Sequence, residues 1–214
     1  MTAVRRSQLP PPTIPHRSRI RWLAAAHPAD VADVASVLAT ACVAQLRPLL
    51  AEDRDDGHAV ALHRWFAAVT AQAVVHGAVY LYADDLAAAI WLPADAAALN
   101  LDGDIRSVPE LDTLSALLRR SPAAAEPATV PAYLVAVGTD PGRRGRGAAR
   151  QLLEAHHRKL DAAGEAAYAI AVDPIGKRLL AAAGYQPDHV DHAGVLALQR
   201  MRRLPRTRPG GGAW

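Results

Sequence analysis

The order of apolar and polar positions divides the chain into short blocks of helical or strand periodicity. Apolar residues recur at helical spacing from Val31 to Leu46, with Pro28 near the first turn, and again through "HAVALHRWFAAVTAQAVVH" at 58 to 76. The charged run "EDRDDG", 52 to 57, reads as a break between these two predicted helices. Ahead of them, "RIRWLA" at 19 to 24 has the pattern of a first strand. Beyond Gly77 two β-prone runs, 78 to 82 and 87 to 92, flank Asp84 and Asp85, which predicts an antiparallel hairpin. A partly polar helical stretch to about Arg120 and a loop at 121 to 131 follow.

"AYLVAVGTDP", 132 to 141, is apolar without alternation, as expected for a strand covered on both faces. After it come a basic glycine loop and an amphipathic helix that ends at about Ala163, before Gly164. A strand at 166 to 174, a short helix at 175 to 184 and a last strand at 195 to 203 complete the pattern. "PDHVDHAG", just before the last strand, reads as an exposed polar loop. The expected organisation is a disordered Pro- and Arg-rich leader (1–18), one α/β domain (19–203) and a flexible tail (204–214).

Composition narrows the possibilities. Hydrophobic residues are 51% of the chain but aromatics only 5%, so alanine supplies much of the packing and helices are expected to lie close to the sheet. The single cysteine, Cys42, excludes an internal disulfide and a Cys-based zinc site, and reads as a small buried apolar residue in a cytoplasmic protein. The N-terminal segment lacks a hydrophobic signal region, and no apolar run is expected to approach the ~20 residues of a membrane span. The basic charge is almost all arginine, since Lys159 and Lys177 are the only lysines. These arginines are spread over the loop and the chain ends with little aromatic interleaving, which argues against a nucleic-acid partner.

The loop "GRRGRGAAR" places Arg143, Arg144 and Arg146 at a predicted helix start, where positive charge opposes the macrodipole unless an anion is present. A nucleotide-triphosphate loop needs Lys-Ser/Thr after its last glycine, and Ala148-Ala149 stands there instead. A dinucleotide fingerprint fits poorly, because the loop falls after several other elements and lacks the third glycine at its place.

Arg144-Gly145-Arg146-Gly147-Ala148-Ala149 satisfies R-x-x-G-x-A and resembles the coenzyme A pyrophosphate loop of the GNAT N-acetyltransferases. The ordered strands around it and Gly184-Tyr185, where that superfamily usually carries Gly-Phe, extend the resemblance over about residues 19 to 203. "ADDLAAAIWLP", "PAYLVAVGTDPGRRGRG" and Asp173-Pro174 are most similar to the branch that contains puromycin N-acetyltransferase.

The resemblance implies a GNAT acyltransferase fold: a mixed central sheet with splayed central strands, flanked by helices. It implies acetyl-CoA as cosubstrate, no metal, and a small-molecule amine as acceptor, such as an antibiotic or a biosynthetic intermediate. Transfer would be direct, through a tetrahedral intermediate, in a monomer or homodimer. Arg144, Gly145, Arg146, Gly147, Ala148 and Ala149 would hold the pyrophosphate. Val137, Gly138 and Thr139 would line the strand end that supplies an oxyanion donor, with Gly138 permitting the splay, and Asp173 would adjoin them.

The chain departs from the superfamily pattern where the chemistry is expected. Leu180 stands at the usual Tyr acid, Asp173 and Gly176 at two frequent asparagines, and Ile170 at a carboxylate common in the puromycin-like branch. Tyr168 and Tyr185 are the nearby substitutes for the acid, and each reads first as a packing residue. These losses keep open an alternative, an acyl-CoA-binding module that senses or partners without transfer. Tyr80, Tyr82 and Trp91 are candidates for an acceptor pocket or a hairpin core, and His189 for the acceptor border. Asp188, His189, Asp191 and His192 lack the spacing of a known metal motif. His156 and His157 are expected on the solvated face of their helix.

Overall fold

The apolar stripe of the first predicted helix forms α1 (Pro28–Leu46), which buries Val34, Ala35, Leu38, Ala39, Ala41 and Leu46. In this computed structural model the described residues are 20–23, 27–46, 55–82, 87–93, 131–193 and 196–206. The expected leader, the Asp84-Asp85 turn, the helical stretch before Arg120, the loop at 121–130 and the tail from 207 lie outside them. By length and composition α1 could cross a membrane, contrary to the sequence expectation: an 18-residue stretch of it reaches a mean hydropathy of 1.4. In the fold it packs instead on α2 and the sheet.

Helix α2 (Asp55–His76) starts inside the charged run expected to be a break. Acidic residues at a helix start suit the macrodipole, so that run holds a helix beginning. The strands are β1 (Ile20–Trp22), β2 (Ala78–Tyr82), β3 (Ala87–Pro93), β4 (Ala132–Thr139), β5 (Ala167–Ala171), β6 (Gln186–Ala193) and β7 (Leu196–Arg203). They form one sheet in the order β1-β2-β3-β4-β5-β7-β6. Only β4 and β5 pair in parallel, and every other neighbour is antiparallel.

Strand periodicity sorts side chains onto two buried faces. Val79, Leu81, Ala88, Ile90 and Leu92 meet α1 and α2. Tyr80, Tyr82, Ala87, Ala89 and Trp91 face the other way, against α3 (Ala148–Ala163). A last helix, α4 (Pro174–Ala182), follows β5 and adds Leu180 to that second cluster.

The strand β6 corrects the reading of "PDHVDHAG" as a loop. Its side chains are almost all exposed, so no hydrophobic alternation marks it; the ladder to β7 makes it a strand. It lies at the sheet edge, with a register shift beside Pro187, where a proline and polar side chains are tolerated.

His156 and His157 also depart from expectation, since they are buried at 8% and 5% exposure. The buried stripe of α3 is two residues wide, running through Ala148, Leu152-Leu153, His156-His157 and Leu160 at helical spacing. His156 stacks on Trp91 with ring centroids 4.2 Å apart and its Nδ1 lies 3.1 Å from the Tyr80 hydroxyl. His157 Nε2 lies 3.1 Å from the Tyr185 hydroxyl. Arg203 of β7, 2% exposed, donates from one guanidinium nitrogen to both carboxylate oxygens of Asp161, at 2.8 and 2.7 Å, fastening the end of α3 to the sheet.

Burial, followed by the charges of neighbouring groups, lowers the His156 pKa to about 3 and the His157 pKa to about 4. The unfolded chain takes up these protons below about pH 6.5 while the folded chain does not. Stability is therefore full above that pH and falls as pH drops toward 4, by up to about 1.4 kcal/mol per pH unit per histidine. Urea midpoints measured from pH 8 to 4.5 should be flat above 7 and fall steeply below 6. His157→Phe should shallow that fall, and an unchanged slope would contradict the assignment.

Candidate functional site

The centre of the site is a mismatch between two parallel strands. Strands β4 and β5 pair only at Ala132↔Ala167, Tyr133↔Tyr168 and Leu134↔Ala169. On its other side β4 stays paired with β3, where Ile90 meets Ala136 and Trp91 meets Leu134, which leaves Val135 as an extra residue in β4. A bulge of this kind bends its strand and increases the local twist, and here it falls where contact with β5 ends. Beyond it the strands part, and the backbone groups of β4 that point away from β3 lose their ladder partners.

A cavity of about 480 Å³ occupies this gap. Its walls include β4 from Tyr133 to Thr139, β5 and its continuation from Ile170 to Asp173, and Ala41, Cys42, Gln45 and Leu46 of α1. Trp65 and Phe66 of α2 and Gly176, Leu179 and Leu180 of α4 also line it. At the mouth lies the loop Arg144–Ala149. All ten residues expected to hold the cosubstrate, Val137, Gly138, Thr139, Arg144, Gly145, Arg146, Gly147, Ala148, Ala149 and Asp173, line this one cavity.

The loop is built to leave a helix end open. Asp140 caps a single 3-10 turn, Pro141–Arg143, by accepting from the Gly142 N–H at 2.8 Å. The chain then turns through two left-handed glycines, Gly145 (φ 81°) and Gly147 (φ 78°). Gly147 is the N-cap of α3, no side chain caps that helix, and its first turn holds no acidic residue. The first N–H groups of α3 therefore face the mouth with the positive end of the macrodipole behind them. A Cβ at Gly145 would meet nothing within 4 Å, so the cradle is open space. Arg144 donates to the Ala41 carbonyl at 3.1 Å, tying the loop to α1. This donor set fits a diphosphate group.

Gly138 acts differently from expectation. A Cβ there would lie 2.6 Å from the Ala41 Cβ and 3.2 Å from Leu38 Cδ2, so the glycine admits close approach of α1. The splay itself starts earlier, at Val135.

Inside the cavity the groups that handle protons are few. Cys42 is held as a thiol, its pKa pushed up to about 12 by burial and then by the charge of Asp173. Asp173 accepts from the Gly176 N–H at 2.6 Å as the cap of α4. Leu180, 3% exposed, and Ile170 line the cavity without a polar atom to offer.

Neither substitute acid lies among the lining residues. Tyr185 is buried against His157 below α3, and the ring of Tyr168 faces the Arg202 guanidinium at 5.6 Å. Tyr80 and Trp91 are packed under α3 on the opposite face and do not line the cavity. His189 stands exposed on the edge strand, 3.8 Å from an Asp191 oxygen, and does not line it either. Among the described residues no group of three or more metal-ligating side chains comes together.

The sequence reading missed Tyr133, Trp65, Phe66 and Gln45 as cavity residues. Tyr133 sits two residues before the bulge, and only its aromatic identity within an alanine- and valine-rich strand marked it.

No protein-family model and no curated protein matches the sequence. Solved structures do. An acetyltransferase described as "histone acetyltransferase HPA2 and related acetyltransferase", from Corynebacterium glutamicum, is 20% identical, covering 90% of this chain and 99% of its own with a TM-score of 0.62. An N-acetyltransferase from Staphylococcus aureus is 17% identical over 86% of this chain and 98% of its own, at 0.56. The polyamine N-acetyltransferase of Drosophila melanogaster is 13% identical over 86% and 99%, at 0.54. The architecture is that of the GNAT acetyltransferases.

Gly138→Ala should cost about 1–3 kcal/mol, because the new methyl overlaps a short side chain on a packed helix. Urea unfolding measures this, and Ala41→Gly in the same chain should recover part of the loss. A Gly138→Ala protein as stable as the parent would contradict the close-approach account.

Proposed function

We propose that the chain transfers the acetyl group of acetyl-CoA directly to the amine of a small molecule. The observation that carries this reading is the open, uncapped start of α3 at one end of the gap between β4 and β5. The backbone N–H groups of Arg144 to Ala149 would hold the diphosphate, with Arg144 and Arg146 adding charge. The gap beyond would receive the extended arm that ends in the thioester, which supplies the activated acyl group. A backbone N–H group of β4 that points away from β3, at the inner end of the stretch Val137 to Thr139, would face the carbonyl and stabilise charge developing on its oxygen.

A small-molecule acceptor fits the neighbours named for agmatine and for polyamines, while the Corynebacterium glutamicum neighbour is named for histone. A closer kinship with the puromycin N-acetyltransferase branch rests on the hairpin and loop segments, and would make the acceptor an antibiotic or a biosynthetic amine. The free thiol of Cys42 suits a cytoplasmic setting.

Leu180 and Ile170 favour a second reading, in which the cavity binds acyl-CoA without transfer. Thiol release from acetyl-CoA across a panel of amines separates the two. Sustained, amine-dependent release is expected, and none with any amine would leave the binding module.

Arg144→Glu and Gly147→Asp should each weaken acetyl-CoA binding at least tenfold, about 1.4 kcal/mol or more, by placing a carboxylate in the cradle. Calorimetry checks this, and unchanged affinity in both variants would remove the loop from the site.

A further inference from the structure

The position at which this architecture would be expected to carry a proton donor holds Leu180, yet one phenol lines the cavity from another element. Tyr133 occupies the middle of the three paired positions of β4 and β5, at the closed end of the gap. The loop lies at the other end, beyond Thr139. Six residues of strand, on the order of 20 Å, separate Tyr133 from Thr139. A cosubstrate anchored by its diphosphate at the loop and extended into the gap therefore points its reactive end toward Tyr133.

The electrostatic neighbours agree with this placement. Cys42, the other buried titratable group of the cavity, feels Asp173 and Arg144 near the mouth. Tyr133 feels Arg200 and Asp191, which form an ion pair across β7 and β6 with both side chains largely buried. Its ring is 8% exposed, and burial raises its pKa, so the hydroxyl keeps its proton. No hydrogen bond holds that hydroxyl among the described residues, in contrast to Tyr80, Tyr82 and Tyr185, whose hydroxyls have side-chain partners. It is thus a neutral donor and acceptor at the end of the gap away from the loop.

Resting on the transfer reading above, we propose that the Tyr133 hydroxyl relays the proton from the acceptor amine to the departing sulfur. As the N–C bond forms and the C–S bond breaks, the phenol oxygen takes a proton from the amine nitrogen and the phenol gives its own proton to sulfur. The products are the amide and the free thiol, the hydroxyl is restored, and no external acid or base is consumed. One residue then serves both proton transfers that Leu180 and Ile170 cannot serve.

Tyr133→Phe tests this, since it removes one oxygen and keeps the ring. The variant should melt with the parent and bind acetyl-CoA within about twofold by calorimetry. Its kcat with the best of tyramine, agmatine and spermidine should fall at least ~100-fold, the scale of positioned acid–base groups. Independently of turnover, the ring-carbon NMR signal that disappears in Tyr133→Phe should shift in the parent when acetyl-CoA is added. A kcat within about threefold of the parent, or a Tyr133 signal unmoved by saturating acetyl-CoA, overturns the relay and leaves the transfer reading standing. A parent that binds acetyl-CoA but releases no thiol with any of these amines contradicts transfer itself, and the relay with it.

Discussion

One extra residue in one strand governs this molecule. Val135 has no counterpart on β3, and the bulge it makes turns β4 away from β5 after only three paired positions. A parallel pair in a sheet covered on both faces would ordinarily close its ladder along the whole strand. Here the ladder stops, and a cavity of about 480 Å³ opens where a continuous core would have been. The bulge also shifts the alternation of side chains. Leu134 faces α3 before it, and Val137 does so after it, while Gly138 comes to face α1. That shift places the one residue without a Cβ under Ala41, so α1 can sit close enough to wall the gap.

The loop gains its precision from a rigid support. The helix behind it carries two buried histidines against Trp91 and Tyr185 and is fastened at its far end by Arg203 and Asp161. The start of α3 is thus fixed relative to the sheet while its own N–H groups stay uncapped. Arg144, bonded to the Ala41 carbonyl of α1, ties the same loop to the opposite layer. The arginine-bearing mouth and the gap behind it are held in one frame.

Much of this was legible in the chain. The helix from Ala148 to Ala163 declared itself by its stripe and by Gly164, and the antiparallel strand pair β2 and β3 by two β-prone runs. The loop residues were legible because their spacing carries a physical requirement: glycines for left-handed backbone, arginines for charge. What stayed hidden depended on tertiary partners. The edge strand from Gln186 to Ala193 owes its form to pairing with β7, and its polar side chains gave no alternation to read. By polarity His156 and His157 look solvent-facing, whereas their spacing from Leu152, Leu153 and Leu160 puts them on the buried face. The bulge at Val135 leaves no mark in composition. Without it neither the role of Gly138 nor the place of Tyr133 at the end of the gap could be read.

On the proposed reading, an anion cradle and a splayed strand pair form one site for one extended ligand. A crystal structure of the protein with coenzyme A bound tests it most directly. The diphosphate is expected on the backbone N–H groups of Arg144 to Ala149 and the sulfur between β4 and the end of β5, on the side of the gap that Tyr133 closes. Coenzyme A bound with its diphosphate away from this loop, or with its thiol outside the gap, would contradict it.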